Sequence, residues 1–356
     1  MWRKEEEKPW FIAGPCSAES FVQLRDITLA VQKLGIQTVR AGIWKPRTRP
    51  NSFEGKGEEA LKWIRDIKAE IDIEFAIEVA SAAHVELALK YEVDIVWIGA
   101  RSSVNPFLVQ EIADTLKGLD LPVLVKNPVN PDLDLWLGGI ERLANVGLTK
   151  IGAIHRGFSA FKKSEYRNLP LWQIAIELKR VLPDMPLICD PSHIGGSSSM
   201  IFDISQKALD LKYDGLMIET HPNPTKALSD SKQQVTPTQL ESIISQLQIR
   251  ANQVDDVVFK SKLHELRNKI DSVDHDIIEN LASRMKLIEE IGDYKEQNNV
   301  AVLQLQRWNE ILKSRREWAT IANLNEDVIA EIYTLIHAES IKKQTEIYNR
   351  DKDEHG

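Results

Sequence analysis

Cysteine is scarce in this chain: Cys16 and Cys189 are the only two in 356 residues. That excludes a disulfide framework and implies a reducing compartment. No apolar run approaches the roughly 20 residues of a membrane helix, and the charged start Met1 to Lys8 leads into none. Neither a signal peptide nor a membrane span is therefore expected, and the protein is expected to be cytoplasmic. A net charge of −8 argues against nucleic acid as the partner. The Gly-x-Gly-x-x-Gly fingerprint of dinucleotide-binding sheets is missing. Proline disappears after Pro237, and glycine then occurs only at 292 and 356, so the last third reads as long helices.

What is present is a length beyond one ordinary core, hence two domains, and a repeated pattern. Apolar runs of strand length read Trp10 to Ala13, Thr38 to Ile43, Phe75 to Val79, Ile95 to Gly99, Pro122 to Val125, Lys150 to Ile154, Pro186 to Cys189 and Gly215 to Ile218. Segments with helical apolar spacing, such as Phe21 to Leu34 and Leu171 to Leu182, alternate with them. Eight β-α units in about 250 residues fit an α/β fold of the (β/α)8 TIM-barrel type, with an open doubly wound sheet as the alternative.

A barrel of this kind builds its active site at the C-terminal ends of the strands. Those ends carry, in order, Cys16; Arg40 with Lys45 and Arg47; Glu78; Arg101; Lys126; Arg156; Asp190 with His193; and Glu219. One charged strand end is ordinarily a solvated turn, but every mouth here is polar. The cations imply an anionic substrate bearing phosphate or carboxylate. In Lys45-Pro46-Arg47-Thr48-Arg49-Pro50 the prolines stiffen a loop that presents positive charge, suited to a phosphorylated substrate. Cys16, His193, Glu219 and the later Asp230 are metal-ligand types that suit one divalent ion, Mn, Fe, Co or Zn. Cys189, inside an apolar run, reads as a small buried hydrophobe.

Gly14-Pro15-Cys16-Ser17, Lys45-Pro46-Arg47-Thr48, Ile98-Gly99-Ala100-Arg101, Asp190-Pro191-Ser192-His193 and Leu228-Ser229-Asp230 together resemble the motif set of type Iβ 3-deoxy-D-arabino-heptulosonate 7-phosphate (DAHP) synthases. The resemblance runs from about Lys8 to Arg250. It implies condensation of phosphoenolpyruvate with erythrose 4-phosphate, releasing phosphate, in aromatic amino-acid biosynthesis. It makes Cys16, His193, Glu219 and Asp230 the metal ligands. Arg40, Lys45, Arg101, Lys126 and Arg156 would hold phosphoenolpyruvate, and Arg47 and Thr48 the erythrose phosphate. Glu78 would steady a neighbouring lysine. The sister octulosonate 8-phosphate synthases resemble a Lys-Ala-Asn-Arg-Ser-Ser loop where this chain has Lys45-Pro46-Arg47-Thr48, which favours the four-carbon sugar. Two departures, Lys126-Asn127-Pro128-Val129 and His155-Arg156-Gly157, keep the cation and alter its surroundings.

The barrel is expected over residues 1–250, with a polar linker at 251–260 and helices over 261–356. Leu263, Leu266, Ile270, Val273, Ile277, Leu281, Met285, Ile288 and Ile291 form a stripe stepping mostly three and four residues. By periodicity alone it suits a bundle or a dimerising coiled coil. Leu263 to Ile347, with Leu266-Arg267-Asn268-Lys269-Ile270-Asp271 and Ile291-Gly292-Asp293-Tyr294-Lys295, resembles an AroQ-type chorismate mutase, three helices per protomer intertwined in a homodimer. The resemblance implies that Arg284 and, from the partner protomer, Arg267 grip the carboxylates of chorismate, with Arg307 nearby. Lys295 and Gln344 would donate to the ether oxygen, and Ser340 would contact a carboxylate. Family members often carry an acid, facing the substrate hydroxyl, where this chain has Trp308, an indole that cannot accept a hydrogen bond. Fusing two enzymes of one pathway suggests that prephenate or chorismate at the helices inhibits the barrel. A helical part that only senses or dimerises, and an octulosonate-type barrel, are the alternatives.

Overall fold

The computed structural model describes residues 9–45, 53–159, 164–251 and 255–353. Its first unit, Met1–Ala251, is a closed barrel of parallel strands in sequence order. The strands are β1 (Trp10–Gly14), β2 (Thr38–Ala41), β3 (Glu74–Val79), β4 (Ile95–Ile98), β5 (Val123–Lys126), β6 (Ile151–His155), β7 (Leu187–Cys189) and β8 (Gly215–Glu219). Its helices are α1 (Phe21–Lys33), α2 (Glu58–Lys68), α3 (Ala82–Lys90), α4 (Pro106–Leu116), α5 (Leu133–Asn145), α6 (Trp172–Val181), α7 (Pro191–Gly195), α8 (Ile201–Asp210) and α9 (Pro237–Gln246). The last stops at Gln246, inside the span 1–250 expected for the barrel. Side chains of Ser20, Ser81, Asn105 and Asp132 cap α1, α3, α4 and α5 by accepting first-turn N–H groups.

Every expected strand is present, and the two-residue period of a strand decides which side chains meet. Ile12, Ala76, Ile95, Trp97, Leu124, Ile154, Ile188 and Met217 form one apolar cluster, the plug inside the barrel. A much larger cluster, including Val39, Val96, Val125, Ala153, Cys189 and Ile218, lies between strands and helices. Two residues beyond the plug, the same inward row reaches Arg40, Glu78, Gly99, Lys126, Arg156, Asp190 and Glu219. The charged groups thus stand directly on the plug at the C-terminal end. Gly99 leaves room there for the Glu78 carboxylate, because a Cβ would lie 2.2 Å from Glu78 Oε1 and displace it.

The second unit, Asn252–Gly356, consists of α10 (Val257–Gln297), α11 (Leu305–Ile321) and α12 (Glu326–Asp353). The first turn of α10 occupies the end of the span 251–260 expected as linker. Both α10 and α11 pack on α12. The stripe of α10 is unevenly covered: Leu281, Met285 and Ile288 are half-buried, whereas Leu266, Ile270, Val273 and Ile277 are 45–58% exposed. At Gly292 a Cβ would meet Ile347 at 2.6 Å, so the absent side chain lets α10 and α12 approach. Among the described residues no helix is long and apolar enough to cross a membrane.

Candidate active sites

At the barrel mouth the ionisable groups form a linked network. Arg40, 1% exposed, places Nη2 3.1 Å from Glu219 Oε1, and its Nε and Nη1 have no hydrogen-bond partner among the described residues. Lys126 Nζ donates to Asp190 Oδ2 at 2.9 Å. Asp190 also caps α7 by accepting the His193 N–H, and His193 Nδ1 lies 2.8 Å from its Oδ2. That turns His193 Nε2 toward Glu219 Oε1, 3.7 Å away. Lys45 Nζ donates to Cys16 Sγ at 3.1 Å, and Cys16 Sγ is 3.3 Å from Asp230 Oδ2. Asp230 reaches Cys16 because the Cys16 N–H donates to Gln234 and Ser17 bonds Ser229, pinning the loop after β8 to the loop after β1.

Burial pushes the Cys16 thiol up to about 12, with Glu219 adding to the rise and Lys45 opposing it. Burial likewise holds His193 below its ordinary value, and Asp190 and Glu219 oppose that fall. For Asp230 burial disfavours the charge, but Arg167, His193 and Lys45 outweigh it and lower the carboxyl. Burial lowers Arg156 to about 10.

The proposed ligands Cys16, Asp230, His193 and Glu219 stand as two pairs. Among the described residues no three His, Cys, Asp or Glu side chains are already arranged to hold an ion. Their chemistry nevertheless fits a divalent first-row ion: a thiol, an imidazole whose far nitrogen rests on a carboxylate, and two carboxylates. Glu219 Oε1 is buried and, beyond its ion pair with Arg40, has no hydrogen bond among the described residues.

Arg156 is braced from both sides. Its N–H donates to Asn127 Oδ1 at 2.7 Å, and its Nη1 to Asn168 Oδ1 at 2.7 Å. Arg101 lies beyond β4, close enough to act on the charge of Arg156. Glu78, expected beside a lysine, accepts from the Trp97 indole at 3.1 Å, and its charge also acts on Lys45. Arg47 and Thr48 lie outside the described residues. The sequence reading missed Trp97, Asn127, Asn168 and Arg167. The last donates to Asp230 Oδ1 at 3.0 Å.

In the helical unit, Arg284 Nη1 donates to Ser340 Oγ at 2.7 Å. Lys295 Nζ donates to the Val302 carbonyl at 2.7 Å. Gln344 is buried, with Nε2 on the Ser340 carbonyl and Oε1 without a partner among the described residues. Ser340 and Gln344 lie one turn apart on α12, so Arg284, Ser340, Lys295 and Gln344 share one region between α10 and α12. Arg307 is exposed and pairs with Glu310 at 3.1 Å. Arg267 is not brought to this site: it is 17 positions before Arg284 on α10, about 25 Å along a straight helix. Trp308 stacks on His337, ring centroids 4.0 Å apart and 21° from parallel.

Residues 3–255 match the DAHP synthetase I family, and residues 266–345 match chorismate mutase type II. Phospho-2-dehydro-3-deoxyheptonate aldolase of Thermotoga maritima is 34% identical over 222 residues, 62% of this chain and 64% of that protein. The chain thus spans somewhat less than two thirds of that relative's length. The 2-dehydro-3-deoxyphosphooctonate aldolase of Desulfotalea psychrophila is 30% identical over 257 residues, 66% of this chain and 87% of the relative. A crystal structure of the Thermotoga maritima DAHP synthase superposes with a TM-score of 0.59 at 31% identity, covering 66% of this chain and 67% of that one.

Proposed function

From a chain that belongs to the DAHP synthetase I family and carries a chorismate mutase type II domain, we propose a bifunctional enzyme. The barrel condenses phosphoenolpyruvate with erythrose 4-phosphate, and the helices rearrange chorismate to prephenate. The observation that carries the first assignment is Arg40, buried on the inward row with two guanidinium nitrogens, Nε and Nη1, lacking an acceptor among the described residues. Such donors await an anion. With Lys126, Arg156 and Arg101 they would hold the phosphate and carboxylate of phosphoenolpyruvate, while Arg47 and Thr48 would take the sugar phosphate.

In the reaction, C3 of phosphoenolpyruvate attacks the aldehyde carbon, water adds at C2, and phosphate departs with its charge held by lysine and arginine. Cys16, His193, Glu219 and Asp230 would hold a divalent ion whose chemistry is to polarise the aldehyde carbonyl. Lys45, beside the Cys16 sulfur, would orient the acceptor and favour the thiolate.

In the helices no nucleophile or base is needed. Arg284, Ser340 and a partner's Arg267 would fix the two carboxylates in the reactive geometry. Lys295 and Gln344 would stabilise charge on the breaking C–O bond. The exposed half of the α10 stripe supports a homodimer that supplies the missing Arg267. We further read the fusion as regulatory, with prephenate at the helices inhibiting the barrel.

Coupled kinetics on the purified chain test all of this. Phosphoenolpyruvate loss with erythrose 4-phosphate is expected to stop after chelation, return on metal add-back and fall with prephenate. Faster turnover with arabinose 5-phosphate would instead support an octulosonate synthase, the reaction named for several relatives. Absence of mutase turnover would reduce the helices to a sensor, the reading that Trp308 favours.

A further inference from the structure

The mutase site as read above has many donors and few acceptors. Arg284 and Lys295 only donate, and the proposed role of Gln344 uses its amide N–H group. Chorismate also carries a ring hydroxyl, a donor that needs an acceptor. Trp308 stands where chorismate mutases of the type this segment resembles often carry an acid, and its indole cannot serve. The structure puts His337 against it.

Three observations place His337 in this site. It lies three and seven residues before Ser340 and Gln344 on α12, so all three share one helix face. The stack with Trp308, at 4.0 Å and 21°, ties its ring to α11 and limits rotation. Burial, together with the positive charges of Arg284 and Lys295 on α10, holds the imidazole below its ordinary value. A neutral ring has one bare nitrogen, which accepts.

We propose that His337, its ring held flat by Trp308, accepts the hydrogen bond of the chorismate ring hydroxyl. Trp308 is then a positioning residue, and the acceptor expected at 308 has moved to α12. The assignment rests on the mutase reading of the helical unit.

The test compares chorismate with an analogue in which hydrogen replaces that hydroxyl, using the full-length chain. Wild-type enzyme is expected to prefer chorismate in kcat/KM by about tenfold, the scale of one hydrogen bond to substrate. In His337→Ala the preference is expected to vanish, with the loss mainly in KM, because the hydroxyl is present in ground and transition states alike. His337→Phe keeps a flat ring for Trp308 and removes the acceptor, so it is expected to lose the same preference without disturbing the packing. A preference retained in either folded variant would overturn the assignment while leaving the mutase reading intact. Wild-type chain without mutase turnover would overturn both.

Discussion

The indole of Trp97 lies under two of the barrel's cations, 5.2 Å from the Arg40 guanidinium carbon and 5.4 Å from Lys126 Nζ. Its N–H is held by Glu78, its register partner on β3. Desolvated cation–π contacts of this kind are worth about 1–2 kcal/mol each. Trp97→Phe retains the ring face and is expected to change the KM for phosphoenolpyruvate only about two- to threefold. Both variants leave Glu78 without the indole donor, but Trp97→Leu removes the ring face as well, so a rise of about tenfold or more is expected. Urea unfolding of the leucine variant should show a loss of about 2–4 kcal/mol, as for other large-to-small changes in a core. In the sequence Trp97 looks like any apolar strand residue. Only its place on the inward row reveals the role.

Asn127 illustrates a second kind of hidden residue. It is fully buried, accepts the Arg156 N–H, and donates to the carbonyls of Pro128 and Gly157. Its partners near Arg156 lie about thirty positions away in sequence, a distance that no local pattern bridges. Asn127→Ala strands those groups and is expected to destabilise the barrel by about 2–3 kcal/mol. It should also raise the KM for phosphoenolpyruvate through a displaced Arg156. Thermal denaturation alongside steady-state kinetics would expose both effects. An unchanged KM in a destabilised protein would limit Asn127 to a structural role.

At the scale of elements, the eight strands were legible because each apolar run has strand length and helical spacing separates it from the next. Boundaries moved by a residue or two, since parallel pairing rather than hydropathy ends a strand. The short helix α7 was not legible: five residues hold no period, and it exists because Asp190 caps it ahead of Pro191. β6 carries a consequence of strand alternation. While Arg156 follows on the inward row, His155 points outward into a shell of Trp136, Phe158, Trp172 and Tyr213, with the Tyr213 hydroxyl 2.8 Å from Nδ1.

Burial lowers His155 to about 4, so the folded barrel keeps it neutral where the unfolded chain, near 6.5, is already charged. The unfolded state then binds more protons, and this contribution to stability is complete above pH 6.5 and lost as pH falls toward 4. The loss should amount to about 3 kcal/mol. Urea midpoints at pH 7.5 and 4.5 would report it. In His155→Phe the difference between those midpoints should shrink, at the cost of a stranded Tyr213 hydroxyl. An unchanged difference would assign the acid sensitivity to other groups.

At the scale of the whole molecule, the stripe on α10 was legible as apolar, but its periodicity was silent about what covers it. Within one chain only Leu281, Met285 and Ile288 of the later half are half-buried, and Ile291 at its end is 46% exposed. Leu266, Ile270, Val273 and Ile277 remain on the outside, a contiguous apolar row that a stable protein in water ordinarily hides. The same half of the helix bears Arg267, about 25 Å from Arg284 by helical rise. If a second copy covers the row, one substitution there should separate the two proposed activities. Ile270 is 58% exposed in the single chain, so Ile270→Glu costs the protomer little by itself, whereas in a dimer it buries an unpaired carboxylate. Sedimentation is expected to show the mass of the variant halved. Mutase turnover should fall with it, because Arg267 is then lost from every site, while condensation at the barrel persists. A wild-type chain that sediments as a monomer yet turns over chorismate would overturn the shared-site reading and require another residue of the same chain to hold the second carboxylate.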